Sequence, residues 1–250
     1  VTFTTGALLF AAAMLGGAIN SVAGGGSFVT FPALLFAGVT PVTANATSTI
    51  ALWPGSVASA LAYRRELHDV RRELFPMGIA SLAGGLAGSI VLLRTSDSTF
   101  VLLIPWLLLF ATVLFSFGGW LAAHLLHGAR APLALATAVQ VFVALYGGYF
   151  GGGIGIMILA ILAVLGMADI HRMNALKTLL GALINGVAVV AFIIAGAVAW
   201  APGVVMIAGG VTGGYAGAAL ARRVDPKHVR WLVLGVAWTM TAYFFVRTYR

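Results

Sequence analysis

Two runs of glycine carry the first chemical signal in this sequence. Gly24-Gly25-Gly26-Ser27 and Gly151-Gly152-Gly153 each interrupt an apolar stretch, and each precedes a short apolar segment, 28–38 and 154–167. Glycine tolerates a broken backbone and lets an anion approach main-chain N–H groups closely. A helix that starts at such a break presents free N–H donors and about half a positive charge. Two such starts facing each other make an anion site that needs no charged side chain. Ser27 adds a hydroxyl donor, whereas Ile154 at the aligned place does not. The plainer reading of a glycine pattern is close helix packing. Gly84-Gly85-x-Ala87-Gly88 and Gly213-Gly214-x-Ala216-Gly217 are read that way. Two matched breaks, each followed by a short helix, favour a site.

A second constellation opens the segment after each break. The first half has Asn45-Ala46-Thr47-Ser48-Thr49, and the second has Arg172-Met173-Asn174-Ala175-Leu176-Lys177-Thr178. Buried Asn, Ser and Thr often serve as hydrogen-bonding glue between helices. Lys177 is harder to explain as glue. A Lys inside an apolar span costs about 2.5–3.5 kcal/mol on insertion scales and marks function by default. Its alternative is to snorkel to the membrane edge, because the segment is expected to begin only a turn earlier. The six acidic residues (Glu66, Asp69, Glu73, Asp97, Asp169 and Asp225) all fall in expected loops or at segment edges. A cation pathway or carboxylate proton relay therefore lacks its groups, and an anion fits better. His124 and His127 share helical spacing without a carboxylate partner, and they read as interfacial rather than as a metal site. No Walker A or complete triad signature is present, so neither an enzyme nor a cofactor is expected.

The elements that must hold these residues follow from composition. Of 250 residues, 61% are hydrophobic and 8% charged, against roughly 45–50% and 25% in soluble domains. Mean hydropathy is +1.06. This excludes a soluble enzyme, a nucleic-acid-binding domain and a disordered chain. The net charge of +8 comes from short basic runs between apolar blocks, which fits membrane topology better than nucleic acid. There is no cysteine, hence no disulfide and no thiolate. The chain opens at Val1, so a start residue or leader is expected to precede it; 3–23 lacks a basic n-region and is counted as structure. Apolar blocks run at about 3–23, 28–38, 43–63, 74–93, 100–123, 133–150, 154–167, 173–198, 203–221 and 229–247. The order repeats, and so do residues. The glycine triplets lie 127 positions apart, while Asn45-Ala46 and Asn174-Ala175, Thr49 and Thr178, and the two GG-x-AG motifs lie 129 apart.

Loop charges set the orientation of the repeat. The loop from Arg64 to Arg72 carries four Arg, and its counterpart near 196–202 carries no charge. The next loop reverses this: Arg94 and Asp97 alone in the first half, and Arg222, Arg223, Lys227 and Arg230 in the second. Cytoplasmic loops carry the Lys/Arg excess, so equivalent loops lie on opposite sides. The expected fold is an all-α integral membrane protein of two inverted four-segment repeats. Each repeat has a Gly-broken helix hairpin plus three full transmembrane helices, with the repeats at 1–123 and 133–250 forming one membrane domain. Each broken pair supplies an even number of crossings, as a re-entrant hairpin or two short spans. The N-terminus falls outside; Arg247 and Arg250 at the outer C-terminus run against the charge rule.

Gly24-Gly25-Gly26-Ser27-Phe28-Val29-Thr30-Phe31-Pro32-Ala33-Leu34 with Ala44-Asn45-Ala46-Thr47-Ser48 resembles the TauE/SafE family, and Gly151-Gly152-Gly153-Ile154-Gly155 with Asn174-Ala175-Leu176-Lys177 agrees. The resemblance covers essentially the whole chain. It implies a bacterial inner-membrane permease that exports sulfite, organosulfonates or related anions. The expected site holds the anion on the backbone of Gly24, Gly25, Gly26, Ser27, Gly151, Gly152 and Gly153. Asn45, Thr49, Asn174 and Thr178 complete its shell and Lys177 supplies charge. The expected partners are that small anion and the lipid bilayer, without nucleic acid. A homodimer through a Gly-rich helix face is left open. An anion channel, a carboxylate permease and a non-transporting scaffold remain as alternatives.

Overall fold

The computed structural model describes residues 2–22, 25–63, 66–125, 131–220 and 226–250; for 21–22, 62, 69, 118–125, 217–220 and 226–229 it describes the backbone alone. Gly24, His127 and the arginines at 64, 65, 222 and 223 lie outside the described residues, and the His124 side chain is likewise not described. Every regular element among the described residues is helical. The α-helices are α1 (Phe3–Val22), α2 (Ser27–Phe36), α3 (Pro41–Ala62), α4 (Arg71–Arg94), α5 (Asp97–Leu125), α6 (Leu133–Tyr149), α7 (Ile154–Val164), α8 (Ile170–Ile194), α9 (Trp200–Leu220) and α10 (Pro226–Tyr249). A short 3-10 turn spans Glu66–Val70.

Among the described residues, four stretches are long and apolar enough to cross a membrane: Phe3–Asn20, Arg71–Arg94, Asp97–Phe117 and Ile170–Ile194. The molecule's outer surface is apolar, with Phe75, Phe142, Ile194 and Trp231 standing exposed. In water such a surface would aggregate; in lipid it is the solvated face. At 1.5 Å per residue, α2 and α7 cover only about 15 and 16 Å, half the hydrocarbon thickness. Each folds back beside the helix before it. In the second hairpin the two ends meet, because the Ala131 N–H donates to the Val164 carbonyl at 3.0 Å.

Sequence dictates which helices touch. Gly84 and Gly88 let α4 lie against the α6 backbone: an added Cβ would overlap the carbonyls of Val141 and Leu145 respectively. Gly209 and Gly213 do the same for α9 on α1, at the carbonyls of Phe10 and Met14. Of the glycines expected to pack helices, Gly84, Gly88 and Gly213 do so, and Gly209 joins them. The remaining pairings follow the same exchange: α4 on α8 and α9 on α3, α2 beside α10 and α7 beside α5. Two contacts join positions that are equivalent in the two halves. Thr112 on α5 and Thr241 on α10, 129 positions apart, share a hydrogen bond of 3.1 Å. Trp53 on α3 donates its indole N–H to the carbonyl of Ala182 on α8, also 129 positions on, at 3.0 Å. Trp53 thus sits at a helix crossing.

The core divides in two. Phe28, Phe31, Leu34, Phe100, Ile104, Phe115 and Phe192 pack one cluster among α2, α5 and α8. Met77, Ile158, Leu162, Leu176, Leu180 and Ile184 pack the other among α4, α7 and α8.

Candidate functional site

Both short helices begin as expected at their glycines. Gly25 has φ +92° and Gly153 has φ +79°. These left-handed values are open to glycine and strained for any residue with a Cβ. Gly26 and Gly153 are the N-caps of α2 and α7, and neither cap makes a side-chain hydrogen bond. The first turns close on the Gly25, Gly26 and Gly153 carbonyls. Among the described residues no protein acceptor takes the N–H groups of Ser27, Ile154 or Gly155.

These ends open onto one cavity of about 230 Å³. Gly25, Ser27 and Thr49 line it from the first half, and Gly151, Gly153, Asn174, Lys177 and Thr178 from the second. Three expected site residues are not on its wall. Gly26 lies under α1, where an added Cβ would overlap the Gly16 carbonyl. Gly152 is buried against Phe150 and Ala111. Asn45 is buried, and its amide donates to the Tyr149 carbonyl at 2.9 Å, tying α3 to the end of α6.

Lys177 is the cavity's charge. Helix α8 begins at Ile170 rather than 173, because the Asp169 side chain accepts the N–H groups of His171 and Arg172 and caps it. Lys177 therefore lies two turns into its helix, not one, so snorkelling is harder. Its ammonium donates to Asn174 Oδ1 at 3.0 Å. Its stem runs past Gly155, 3.5 Å from where a Cβ would be. Among the described residues no carboxylate lies within ion-pair distance of it or lines the cavity. The first half carries Ser48 129 positions before Lys177 and Phe28 127 before Gly155. Ser48 is buried and bonded to Thr30 at 2.6 Å. Phe28 is buried against Phe115. The charged side of the cavity thus belongs to the second half.

The residues missed from sequence are Asn20, Ser56, Ser59, Tyr63 and Asn185, all on the cavity wall. A signal for most of them existed. Thr49, Ser56 and Ser59 recur at 7 and 3 residues, and Thr178 and Asn185 at 7, the spacing of one helix face. Three hydroxyls have committed their protons: Thr49 donates to Asn45 O at 2.9 Å, Ser59 to Gly55 O at 2.9 Å and Thr178 to Asn174 O at 2.7 Å. These turn lone pairs towards the cavity, so the donors left for an anion are backbone N–H groups, Lys177, the carboxamides and the hydroxyls of Ser27 and Tyr63.

The cavity follows α3 down to Tyr63, on the side of the basic 64–72 loop. It stops short of the first turns of α3, where Ala44, Asn45, Ala46, Thr47 and Ser48 are buried. That end is sealed by edge-to-face contacts of Phe31 with Phe100 and Phe150, and of Phe100 with Tyr149. Thr47 accepts the Ala199 N–H there at 3.0 Å.

Comparison with known proteins agrees with this architecture. Residues 9–244 match the family model described as "Sulfite exporter TauE/SafE". The chain is 28% identical to the "Probable membrane transporter protein ORF9" of Sinorhizobium sp, over 92% of this chain and 88% of that protein. It is 27% identical to a "Probable membrane transporter protein" of Haemophilus influenzae, over 94% and 92%. With the "Probable membrane transporter protein YfcA" of Escherichia coli K12 it shares 28% identity over 94% and 87%. No solved structure matches the chain. With a family match along almost its whole length and apolar helices built to span lipid, the chain is a multi-pass transmembrane transporter of the TauE/SafE family.

Proposed function

We propose that this transporter exports a small anion, sulfite or an organosulfonate, by alternating access to the cavity between the two glycine breaks. One observation carries the reading: both breaks and both following helices contribute to a single cavity that holds one cation and no carboxylate among its described lining. The anion rests on the free N–H groups around Ser27, Ile154 and Gly155, with Lys177 balancing its charge. Gly25, Gly151 and Gly153 shape the two breaks; Gly26, Gly152 and Asn45 act from behind them. Thr49, Asn174 and Thr178 line the path.

The repeats, 1–123 and 133–250, are read as inverted copies that rock about the Thr112–Thr241 and Trp53–Ala182 contacts. The exchanged helix pairings support this. By the positive-inside rule the 64–72 loop is cytoplasmic and the N-terminus outside. The cavity then faces inward, and the Phe31–Phe100–Tyr149–Phe150 group closes the outer side. In a bacterial inner membrane, negative inside, the potential favours anion exit by about 2.3 kcal/mol per charge per 100 mV. The Gly-rich faces of α4 and α9 are used inside the chain, so a homodimer needs another surface.

The test is efflux of labelled sulfite from liposomes holding the purified protein, with sulfate, sulfoacetate and acetate as competitors. Saturable sulfite efflux blocked best by sulfoacetate supports the proposal. Saturable flux of acetate without sulfite makes it a carboxylate permease, non-saturating flux makes it a channel, and no flux from folded protein makes it a scaffold.

A further inference from the structure

Asn185 is the polar residue that neither the repeat nor the glycine breaks bring to notice. It lies in the middle of α8, 15 residues beyond Ile170 and 9 before Ile194. That is bilayer depth, where a carboxamide without a partner is costly. Among the described residues it has no protein hydrogen bond. Its side chain lines the cavity at the second glycine break, with Oδ1 3.9 Å from where a Gly151 Cβ would stand.

The hydroxyls nearest to it on α3 and α8 are committed. Ser56, at the position 129 before Asn185, accepts from the Asn20 amide at 3.4 Å and donates to its own helix at Leu52 O, also at 3.4 Å. Thr178, two turns before Asn185 on the same face, donates to Asn174 O. Asn174 Oδ1 is taken by Lys177. Re-aiming a hydroxyl at a ligand breaks its helix bond. The Asn185 amide can turn to a ligand without breaking anything.

We propose that Asn185 contacts the transported substrate, its side-chain N–H donating to one oxygen of the anion held at the α7 N-terminus. The inference rests on the anion reading above and adds to it a selecting residue. A donor about two turns beyond Lys177 and Thr178 on α8 favours a polyatomic oxyanion, which offers several acceptors, over a spherical halide.

Thermal unfolding of the detergent-solubilised full chain, titrated with sodium sulfite against sodium chloride at equal ionic strength, tests it. Sulfate and acetate extend the panel. Without sulfite, Asn185→Ala unfolds at or above the wild-type temperature, because no protein hydrogen bond is lost, whereas Asn185→Asp unfolds lower because it puts a charge at bilayer depth. With sulfite, Asn185→Ala needs about ten- to hundredfold more anion for the same shift, the worth of one hydrogen bond to a charged group. Asn185→Asp, of the same shape but ionised, loses the response. If the wild type responds and both variants respond at the same concentration, Asn185 is not a contact and the anion reading stands. A lower unfolding temperature of both variants without anion, with unchanged sulfite response, makes Asn185 structural. If the wild type responds to no anion, the anion reading fails and this inference fails with it.

Discussion

Replacing Lys177 with Met keeps its length and removes its charge, which separates electrostatics from packing. The Lys177 stem passes Gly155 in the first turn of α7, so an anion on the free N–H groups there comes close to the ammonium; a separation of about 5 Å serves for the arithmetic. At an effective dielectric of about 20, two unit charges at that distance attract by about 3 kcal/mol. Water in the open cavity reduces this, so the expected loss of sulfite affinity is ten- to hundredfold. The effect on the empty protein has the opposite sign. A Lys in an apolar span is unfavourable by about 2.5–3.5 kcal/mol on insertion scales, and only Asn174 Oδ1 takes its proton among the described residues. Lys177→Met therefore unfolds at the same or a higher temperature without anion. The assay is the concentration dependence of labelled-sulfite efflux from liposomes, paired with thermal unfolding. Lys177→Arg keeps the charge and loses much less. A Lys177→Met protein with half-saturation within threefold of wild type would refute the assignment of Lys177 to the anion.

Other consequences are specific. Gly153→Ala forces a Cβ into a left-handed conformation at φ +79°, about 1–2 kcal/mol of strain; circular dichroism melts should show the loss, and efflux should fall further than stability does. Gly213→Val drives a side chain into the Met14 carbonyl and separates α9 from α1, so folded protein should be scarce by size-exclusion chromatography. Asn45→Ala releases the Tyr149 carbonyl and should loosen the sealed end, read as faster labelling of a Thr95→Cys reporter by a membrane-impermeant maleimide. Asp169 is held below the ordinary carboxylate range by the His171 and Arg172 N–H groups. Its cap is intact above the usual aspartate range and is lost as pH falls through the lowered value, so Asp169→Ala should matter at neutral pH and cease to matter in strong acid, measured by unfolding temperature.

Much of this was readable because membrane helices write their limits in plain terms. Apolar length placed ten segments, and the paired glycines located both breaks, since only glycine takes the angles at Gly25 and Gly153. Lys177 stood out because an apolar span has no cheap place for it. Other features needed tertiary structure. Asn45 and Asn174 hold equivalent places in the sequence, yet one bonds a carbonyl across the protein and the other a lysine on its own helix. Nothing local distinguishes them. Asn185 carries only the seven-residue spacing from Thr178 as a signal, and Ser56, its counterpart in the first half, differs in type. Helix α8 starts at Ile170, three residues before the apolar block at 173, because a side-chain cap such as Asp169 leaves no mark in hydropathy.

The most direct test asks whether the anion passes through this cavity. The sequence contains no cysteine, so Thr178→Cys, on the cavity wall, introduces a single thiol into an otherwise unreactive chain. Sulfite efflux from liposomes is measured before and after modification with a bulky negatively charged methanethiosulfonate, with and without excess sulfoacetate during labelling. Modification should abolish efflux, and sulfoacetate should slow the modification. Fully modified protein that still carries sulfite at the unmodified rate would contradict the account.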